Sequence, residues 1–288
     1  MRSIVLNILA EVNFFLYRAG FLKNKIKVYS LEETLNELVR TQKSLIRFGD
    51  GEIEIMRGKS LKLQSVDARL GDELKNIIGY ENDNLMIALP DIFSDLSRYK
   101  KESQLFWKRH LLVDRRIYNS YCNPEKKYYN AFCSRFYYAF RQREMCPKLV
   151  SQLKQIWENK DVVIVEGERT HNGVGNDLFE KTKTIERIIG PACNAYERLD
   201  DIEQCCMEYP KDRLFLLSLG VAAKVLADRL FRAGYRVIDI GNVDLEYEWF
   251  LNSAQEKQSL YKHRVISIEE NINAGYMEYL RQIRQRIL

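Results

Sequence analysis

The chain alternates between short apolar runs and longer stretches whose apolar residues recur at helical spacing. Ser30-Leu31-Glu32-Glu33 is a capping box, in which Ser30 caps a helix and Glu33 reaches back to it. The Leu31, Leu35, Leu38 spacing that follows continues that helix. Residues 44–48 read as a short strand running into Gly49-Asp50-Gly51-Glu52, and residues 85–90 as a second buried strand. Helices are predicted over 94–112 and 147–159. The second half is patterned more sharply. Residues 161–166 (DVVIVE) form the β-branched run of a central strand, and 185–189, 213–219 and 235–240 read as further strands. Between the last two, Val221, Val225, Leu226 and Leu230 make an apolar helical stripe. Gly234 stands where a left-handed residue ends such a helix. Strand, helix, strand of this kind is a βαβ unit, which builds parallel sheets. The expected fold is therefore α/β and Rossmann-like, with a mostly parallel central sheet flanked by helices.

In open sheets of this class, ligands bind beyond the carboxyl ends of the strands. That rule makes candidates of the loops at 49–52, 167–177, 220–221 and 241–248. The first carries Arg47-Phe48-Gly49-Asp50-Gly51-Glu52. Carboxylates at alternate positions can hold one hard cation, which then neutralises a diphosphate. Gly49 lets the backbone approach a ligand, and Arg47 can pair with a phosphate or with the carboxylates. The competing reading is a polar turn in which Asp50 caps a helix starting near Glu52.

The second loop runs from Gly167 to Asp177 and carries Gly173, Gly175, Asn176 and Asp177 ahead of an apolar helix start at Leu178 and Phe179. A glycine loop at a helix N-terminus binds phosphate through backbone N–H groups. Asn176 or Asp177 as an ordinary N-cap is compatible with that role. The dinucleotide fingerprint lacks its third glycine here, and no Walker lysine follows. The third loop, at Gly220, continues the same carboxyl edge. The fourth holds Asp239, Asp244, Glu246 and Glu248. Extended, the last three share a face; helical, Asp244 and Glu248 do. Either arrangement offers a general base. The alternative is an acidic helix start favoured by the macrodipole.

Composition narrows the classes. With 288 residues, 46% of them hydrophobic and 30% charged, a sizeable core is expected. Six scattered cysteines without a C-x-x-C pair read as reduced cytosolic thiols and not as a zinc ribbon. The net charge of +5 is mild, and the Lys and Arg residues are spread along the chain, so nucleic-acid binding is not expected. The densest basic patch is Lys100, Lys101, Lys108, Arg109, Arg115 and Arg116. No G-x-S-x-G elbow appears, and His110, His171 and His263 lack ligand spacing. The aromatic run Tyr128, Tyr129, Phe132, Phe136, Tyr137, Tyr138, Phe140 has helical spacing and reads as core or groove lining. Residues 4–22 are apolar but interrupted by Asn7, Glu11, Asn13 and Arg18. This is too polar to span a membrane; it suits a helix packed on the domain or an amphipathic helix on a membrane surface.

Taken in order, RFGDGE, VEGERTHNGVGNDLF, ERIIGPACNAY and SLGVAAKVLADRLFRAGYRVIDIGNVDLEYEW resemble the GT-D-type bacterial glycosyltransferases, a family first defined as a domain of unknown function and typified by a glucosyltransferase of adhesin glycosylation. The likeness runs from about residue 44 to 251. It divides the chain into an N-terminal helical extension (1–43), the GT-D-type domain (44–251) and a C-terminal helical tail on the same domain (252–288). It implies a UDP-sugar donor and a divalent cation, Mn²⁺ or Mg²⁺, held by Asp50 and Glu52 as the family's D-x-E motif. It implies that Gly173, Gly175, Asn176 and Asp177 lie about the donor, where the strand-end reading also places Arg47, Gly49 and Gly220, and that Asp244, Glu246 and Glu248 face the reaction centre. Two departures stand out: Asn242 occupies a place where the family commonly has histidine, and a Gly-Pro-Thr-like turn reads Gly220-Val221-Ala222. The expected activity is transfer of a hexose, glucose or galactose, to a lipid-linked or protein-linked glycan. The expected location is the cytoplasm, with peripheral membrane contact and self-association left open. A silent nucleotide-sugar-binding subunit and a metal-dependent phosphoesterase are the alternatives.

Overall fold

The structure is a computed structural model that describes residues 2–22, 26–263, 265 and 274–288. The chain opens with helix α1 (Arg2–Arg18), strand β1 (Lys27–Val28) and helix α2 (Leu31–Arg40). The capping box holds: Glu33 N–H donates to Ser30 Oγ, and Ser30 N–H donates to the Glu33 carboxylate. Then come β2 (Ser44–Arg47), α3 (Asp50–Met56), α4 (Ala68–Ile78), β3 (Leu85–Leu89), α5 (Lys101–Tyr121) and β4 (Lys127–Asn130). The second half follows with α6 (Cys146–Gln155), β5 (Asp161–Gly167), β6 (Thr184–Gly190), α7 (Leu199–Met207) and β7 (Leu214–Ser218). The predicted βαβ unit is completed by α8 (Ala222–Arg232) and β8 (Arg236–Asp239), with Gly234 at φ +90°. The chain ends with α9 (Val243–Leu251), α10 (Ala274–Gln282) and β9 (Ile283–Arg286).

These strands form one sheet in the order β1-β4-β3-β2-β8-β7-β5-β6-β9. Every ladder is parallel, so the expected mostly parallel sheet is wholly parallel among the described strands. Alternation along the strands divides the core. Val163 and Val165 of β5, with Phe215 and Leu217 of β7, pack toward α3, α4, α5, α7 and α8. Val162 and Ile164, with Leu214 and Leu216, pack toward α2, α6 and α9. Continuous Val/Ile/Leu runs are what a sheet covered on both faces requires.

Several expectations need correction. The helix predicted over 94–112 begins at Lys101, because residues 91–100 form a turn in which the Arg98 guanidinium donates to the Asp91 main-chain oxygen. The aromatic run is not helical. Tyr128 and Tyr129 lie in β4, and Ala131–Ser134 make a 3₁₀ turn, although Phe132, Phe136, Tyr137 and Phe140 are core residues as expected. No helix starts at Leu178; residues 168–183 are turns. The two terminal segments are not purely helical additions. β1 pairs with β4 and β9 pairs with β6, so both termini close edges of the same sheet.

Candidate active site

The sheet changes direction between β2 and β8. Helix α3 leaves β2 for one face, and α9 leaves β8 for the other, where Val243, Tyr247 and Trp249 join the second core. Such divergence opens a crevice at the carboxyl edge, which is where ligands bind in this architecture. The residues from Arg47 to Glu52 lie on one lip and those from Asp239 to Asn242 on the other.

A buried ionic network floors the crevice. Arg47 does not bind Asp50 or Glu52. Its guanidinium donates to the Asp239 main-chain oxygen at 2.6 Å, to Asp239 Oδ1 at 3.1 Å and to the Ala131 main-chain oxygen at 3.1 Å. Glycine suits position 241: its φ is +47°, and a Cβ would stand 2.1 Å from an Arg47 nitrogen and displace that guanidinium. The first turn of α8 supplies Lys224, whose Nζ lies 3.0 Å from Glu52 Oε1 and 3.1 Å from Asp239 Oδ2 and donates to the Gly220 main-chain oxygen. Burial alone would push the Asp239 carboxyl up; Arg47 and Lys224 overcome this and hold it below the usual carboxylate range.

The two carboxylates of the D-x-E motif are not equivalent. Gly49, not Asp50, is the N-cap of α3, and Gly49 N–H donates to Glu52 Oε2 at 2.6 Å. Glu52 therefore has one oxygen on the helix cap and the other on Lys224. Asp50, at the first helical position and half-buried, takes neither hydrogen bond nor ion pair from the described residues. Among the described residues no three His, Cys, Asp or Glu side chains converge to hold a metal by themselves. The two carboxylates would suit instead a hard cation that keeps most of its waters, since such an ion needs only one or two protein carboxylates. Across the crevice Gly220 is exposed at φ +57°, with no atom within 4 Å of where a Cβ would stand. That leaves space for a substrate at the start of α8.

The glycine loop has a different neighbourhood from the one expected. Gly173 N–H donates to Asp244 Oδ1 at 2.8 Å, and Asn176 Nδ2 donates to both Asp244 Oδ1 and Glu248 Oε1. With no helix after it, this loop supplies no helix N-terminus for a phosphate. Asp177 turns to Lys154 at 2.6 Å and to the Tyr247 hydroxyl at 2.5 Å, and the Lys154 ammonium holds its carboxyl below the usual range. Gly175 N lies 3.3 Å from the Cβ position of Gly275. A cavity of about 460 Å³ runs between this loop and α10, lined by Gly173, Gly175, Asn176, Arg187, Tyr279 and Gln282 among others. Gly173 has φ +76°, and an added Cβ would lie 2.5 Å from the Phe179 ring. Gly173→Ala is expected to destabilise the protein by about 2 kcal/mol or more, because it combines a left-handed penalty with a clash. A urea melt that leaves the variant at wild-type stability would refute this placement.

The acidic segment is helical, so Asp244 and Glu248 share a face, and Glu246 points elsewhere. Asp244 is fully buried and lies 2.7 Å from His263 Nε2 and 2.8 Å from Lys262 Nζ. Burial raises its carboxyl, but His263 and Lys262 more than offset this and leave it below the usual range. Lys262 also binds Glu248 at 2.8 Å and the Val174 main-chain oxygen at 2.8 Å. Asp244 and Glu248 thus brace α9 against the 171–176 loop and the 261–263 turn. Glu246 accepts the Tyr137 and Tyr138 N–H groups through Oε2 alone, and Oε1 has no bond from the described residues. Burial raises its pKa above the ordinary glutamate value. Asn242, the N-cap of α9, is exposed and makes no side-chain cap bond. The sequence reading missed Lys224, Lys262 and His263. Lys224 alone carried a signal, as a charge inside an otherwise apolar helix start.

A sheet wholly parallel among the described strands, doubly wound and with carboxylates at its switch point, defines an α/β protein of the Rossmann-like class. Residues 45–267 match the family model described as glycosyltransferase GT-D fold, and the chain belongs to that family. It is 40% identical over 243 residues to a probable glycosyl transferase Gly of Streptococcus gordonii, and 39% identical over 240 residues to the glycosyltransferase GlyD of Streptococcus pneumoniae. These alignments cover 84% and 83% of this chain but only 36% and 29% of those proteins, so the chain spans about a third of their length. Among solved structures it superposes with a TM-score of 0.85 and 37% identity on a new glycosyltransferase from Streptococcus sanguinis, over 91% of this chain and all of that one. It superposes equally well, at 33% identity over the whole of both chains, on a highly conserved domain of unknown function described as having a distinct glycosyltransferase fold.

Proposed function

We propose that the protein transfers a hexose, glucose or galactose, from a UDP-sugar to a glycan acceptor at the cytoplasmic side of surface-glycan assembly. The observation that carries this is the uncommitted carboxylate of Asp50 at the switch-point crevice, beside a glycine lip that leaves room for a diphosphate. The relatives named glycosyltransferases support the same reading.

Asp50 would hold a divalent cation, Mn²⁺ or Mg²⁺, together with Glu52 once Lys224 lets go of it. When bound, the cation offsets charge on the departing UDP. Lys224 supplies a second positive charge at the same edge, and the Glu52 cap fixes the turn that aims Asp50. The acceptor hydroxyl needs a base. Of the three acidic candidates on α9, Glu246 has an oxygen that takes no bond from the described residues and a raised pKa, which brings a carboxylate closer to the proton it must take. Asp244 is fully buried and held by His263, Lys262, Gly173 and Asn176, so it positions α9. Glu248 shares that bracing work.

The test is UDP release from a panel of UDP-sugars with a glycan acceptor, with and without Mn²⁺, in wild type and Glu246→Gln. The expected result is release from one sugar that a chelator abolishes, with kcat reduced about a hundredfold in the variant at unchanged donor KM. UDP binding without any turnover would instead make the chain a nucleotide-sugar-binding subunit. Metal-dependent hydrolysis of simple phosphate esters would make it a phosphoesterase.

A further inference from the structure

Helix α1 is built inside out. Asn7, Glu11 and Asn13 lie on the side that meets the protein. Asn7 Oδ1 accepts from Arg109 Nε at 2.7 Å, Glu11 binds Lys108 at 2.8 Å, and Asn13 Oδ1 accepts from Arg115 at 2.9 Å, all on α5. Ala10 and Tyr17 are buried on that inner side, and the Tyr17 hydroxyl donates to the Phe93 main-chain oxygen. The opposite side carries Ile4, Val5, Ile8, Leu9, Val12 and Phe15 at spacings of three and four, every one of them 50–68% exposed. A surface helix of a globular protein does the reverse and turns its apolar stripe to the core. The apolar surface continues onto α5, where exposed Phe106 and Val113 stand one turn to either side of Arg109. No helix among the described residues is long and apolar enough to cross a membrane.

Charge selects what covers this face. Helices α1 and α5 together carry seven Lys/Arg and three Asp/Glu, a net of +4 out of the +5 of the whole chain. Two copies meeting through these helices would bring like net charge together. A bilayer surface rich in anionic headgroups supplies both the apolar phase and the counter-charge. We propose that α1 lies in the plane of an anionic lipid surface, with Ile4, Ile8, Val12 and Phe15 sunk at the headgroup boundary and the exposed Lys101 and Arg116 of α5 on the headgroups. The binding is peripheral and needs no transfer chemistry.

The test is flotation of the full chain with vesicles of phosphatidylcholine alone, or of phosphatidylcholine mixed with phosphatidylglycerol. Wild type is expected to float with the mixed vesicles and to be released by high salt. Ile8→Ser/Phe15→Ser and, separately, Lys101→Glu/Arg116→Glu are each expected to reduce partitioning about tenfold or more. All four positions are exposed, so the melting temperature should stay at the wild-type value and serves as the folding control. Failure of wild type to bind the mixed vesicles overturns the proposal, as does binding that neither variant weakens. A concentration-dependent dimer that Ile8→Ser/Phe15→Ser dissolves would overturn it in favour of a second copy of the chain.

Discussion

Lys224→Met is expected to lower stability by about 3 kcal/mol, or roughly 6 °C or more in Tm. Methionine keeps the unbranched apolar stem, one atom shorter, and removes its charge. Lys224 is 5% exposed and lies between two carboxylates that are themselves buried. Asp239 keeps Arg47, but Glu52 keeps only the Gly49 N–H. Breaking a buried ionic contact from one side costs more than the contact contributes, because the remaining charge has lost its water and its partner. A divalent cation should then stabilise the variant more than the wild type, since it no longer competes with an ammonium for Glu52. Thermal melts with and without Mn²⁺ read both effects. The pH dependence has a definite sign. Asp239 is held below its unfolded value, so its contribution is complete above the unfolded pKa of about 4 and lost as pH falls through the folded one. With Lys224 gone, one of the two charges holding it down is removed, and acid unfolding should begin at higher pH. If Lys224→Met melts with the wild type, the network does not support the crevice.

Much of this architecture was legible because it repeats local rules. The run at 161–166 is apolar on both sides, and a doubly covered parallel strand has to be. The stripe at Val221, Val225, Leu226 and Leu230 and the stop at Gly234 gave α8 to within a residue or so. β9 was hidden because Ile283–Arg286 carries three polar side chains, which an edge strand tolerates and a central one does not. The absent helix after Asp177 has a backbone cause. His171, Gly173 and Gly175 all take positive φ, and the loop's donors go to carboxylates of α9 and not to a new helix. Those carboxylates looked catalytic in the sequence because their partners are remote from them. Lys262 and His263 lie 18 and 19 positions beyond Asp244, in a stretch with no periodicity to announce them. The same distance effect concealed the bond from Arg47 to Asp239, which spans 192 positions. Close spacing of acids therefore said where chemistry could gather, but only the fold says which carboxylate is already occupied.

That distinction yields the sharpest contrast between neighbouring residues. Asp50→Asn is expected to leave Tm within about 1 °C of wild type, since the half-buried carboxylate makes no bond to the described residues and surface changes of that kind are nearly neutral. The same change should reduce UDP release roughly a hundredfold and weaken Mn²⁺ binding, because it removes a crevice carboxylate that no described residue engages. Glu52→Gln should behave differently. Its amide oxygen can still accept the Gly49 N–H, so the α3 cap survives, but the charge facing Lys224 is lost and a buried ammonium is left with one carboxylate, Asp239, beside the Gly220 main-chain oxygen. A stability loss of about 1–3 kcal/mol should accompany the loss of transfer. Glu52→Ala should lose about a further 1 kcal/mol, because the cap goes as well. Chemical denaturation, Mn²⁺ titration and UDP release on the three variants separate the roles. If Asp50→Asn transfers sugar normally, the crevice does not work through this motif. If it unfolds instead, Asp50 has a structural partner in solution that the fold does not show.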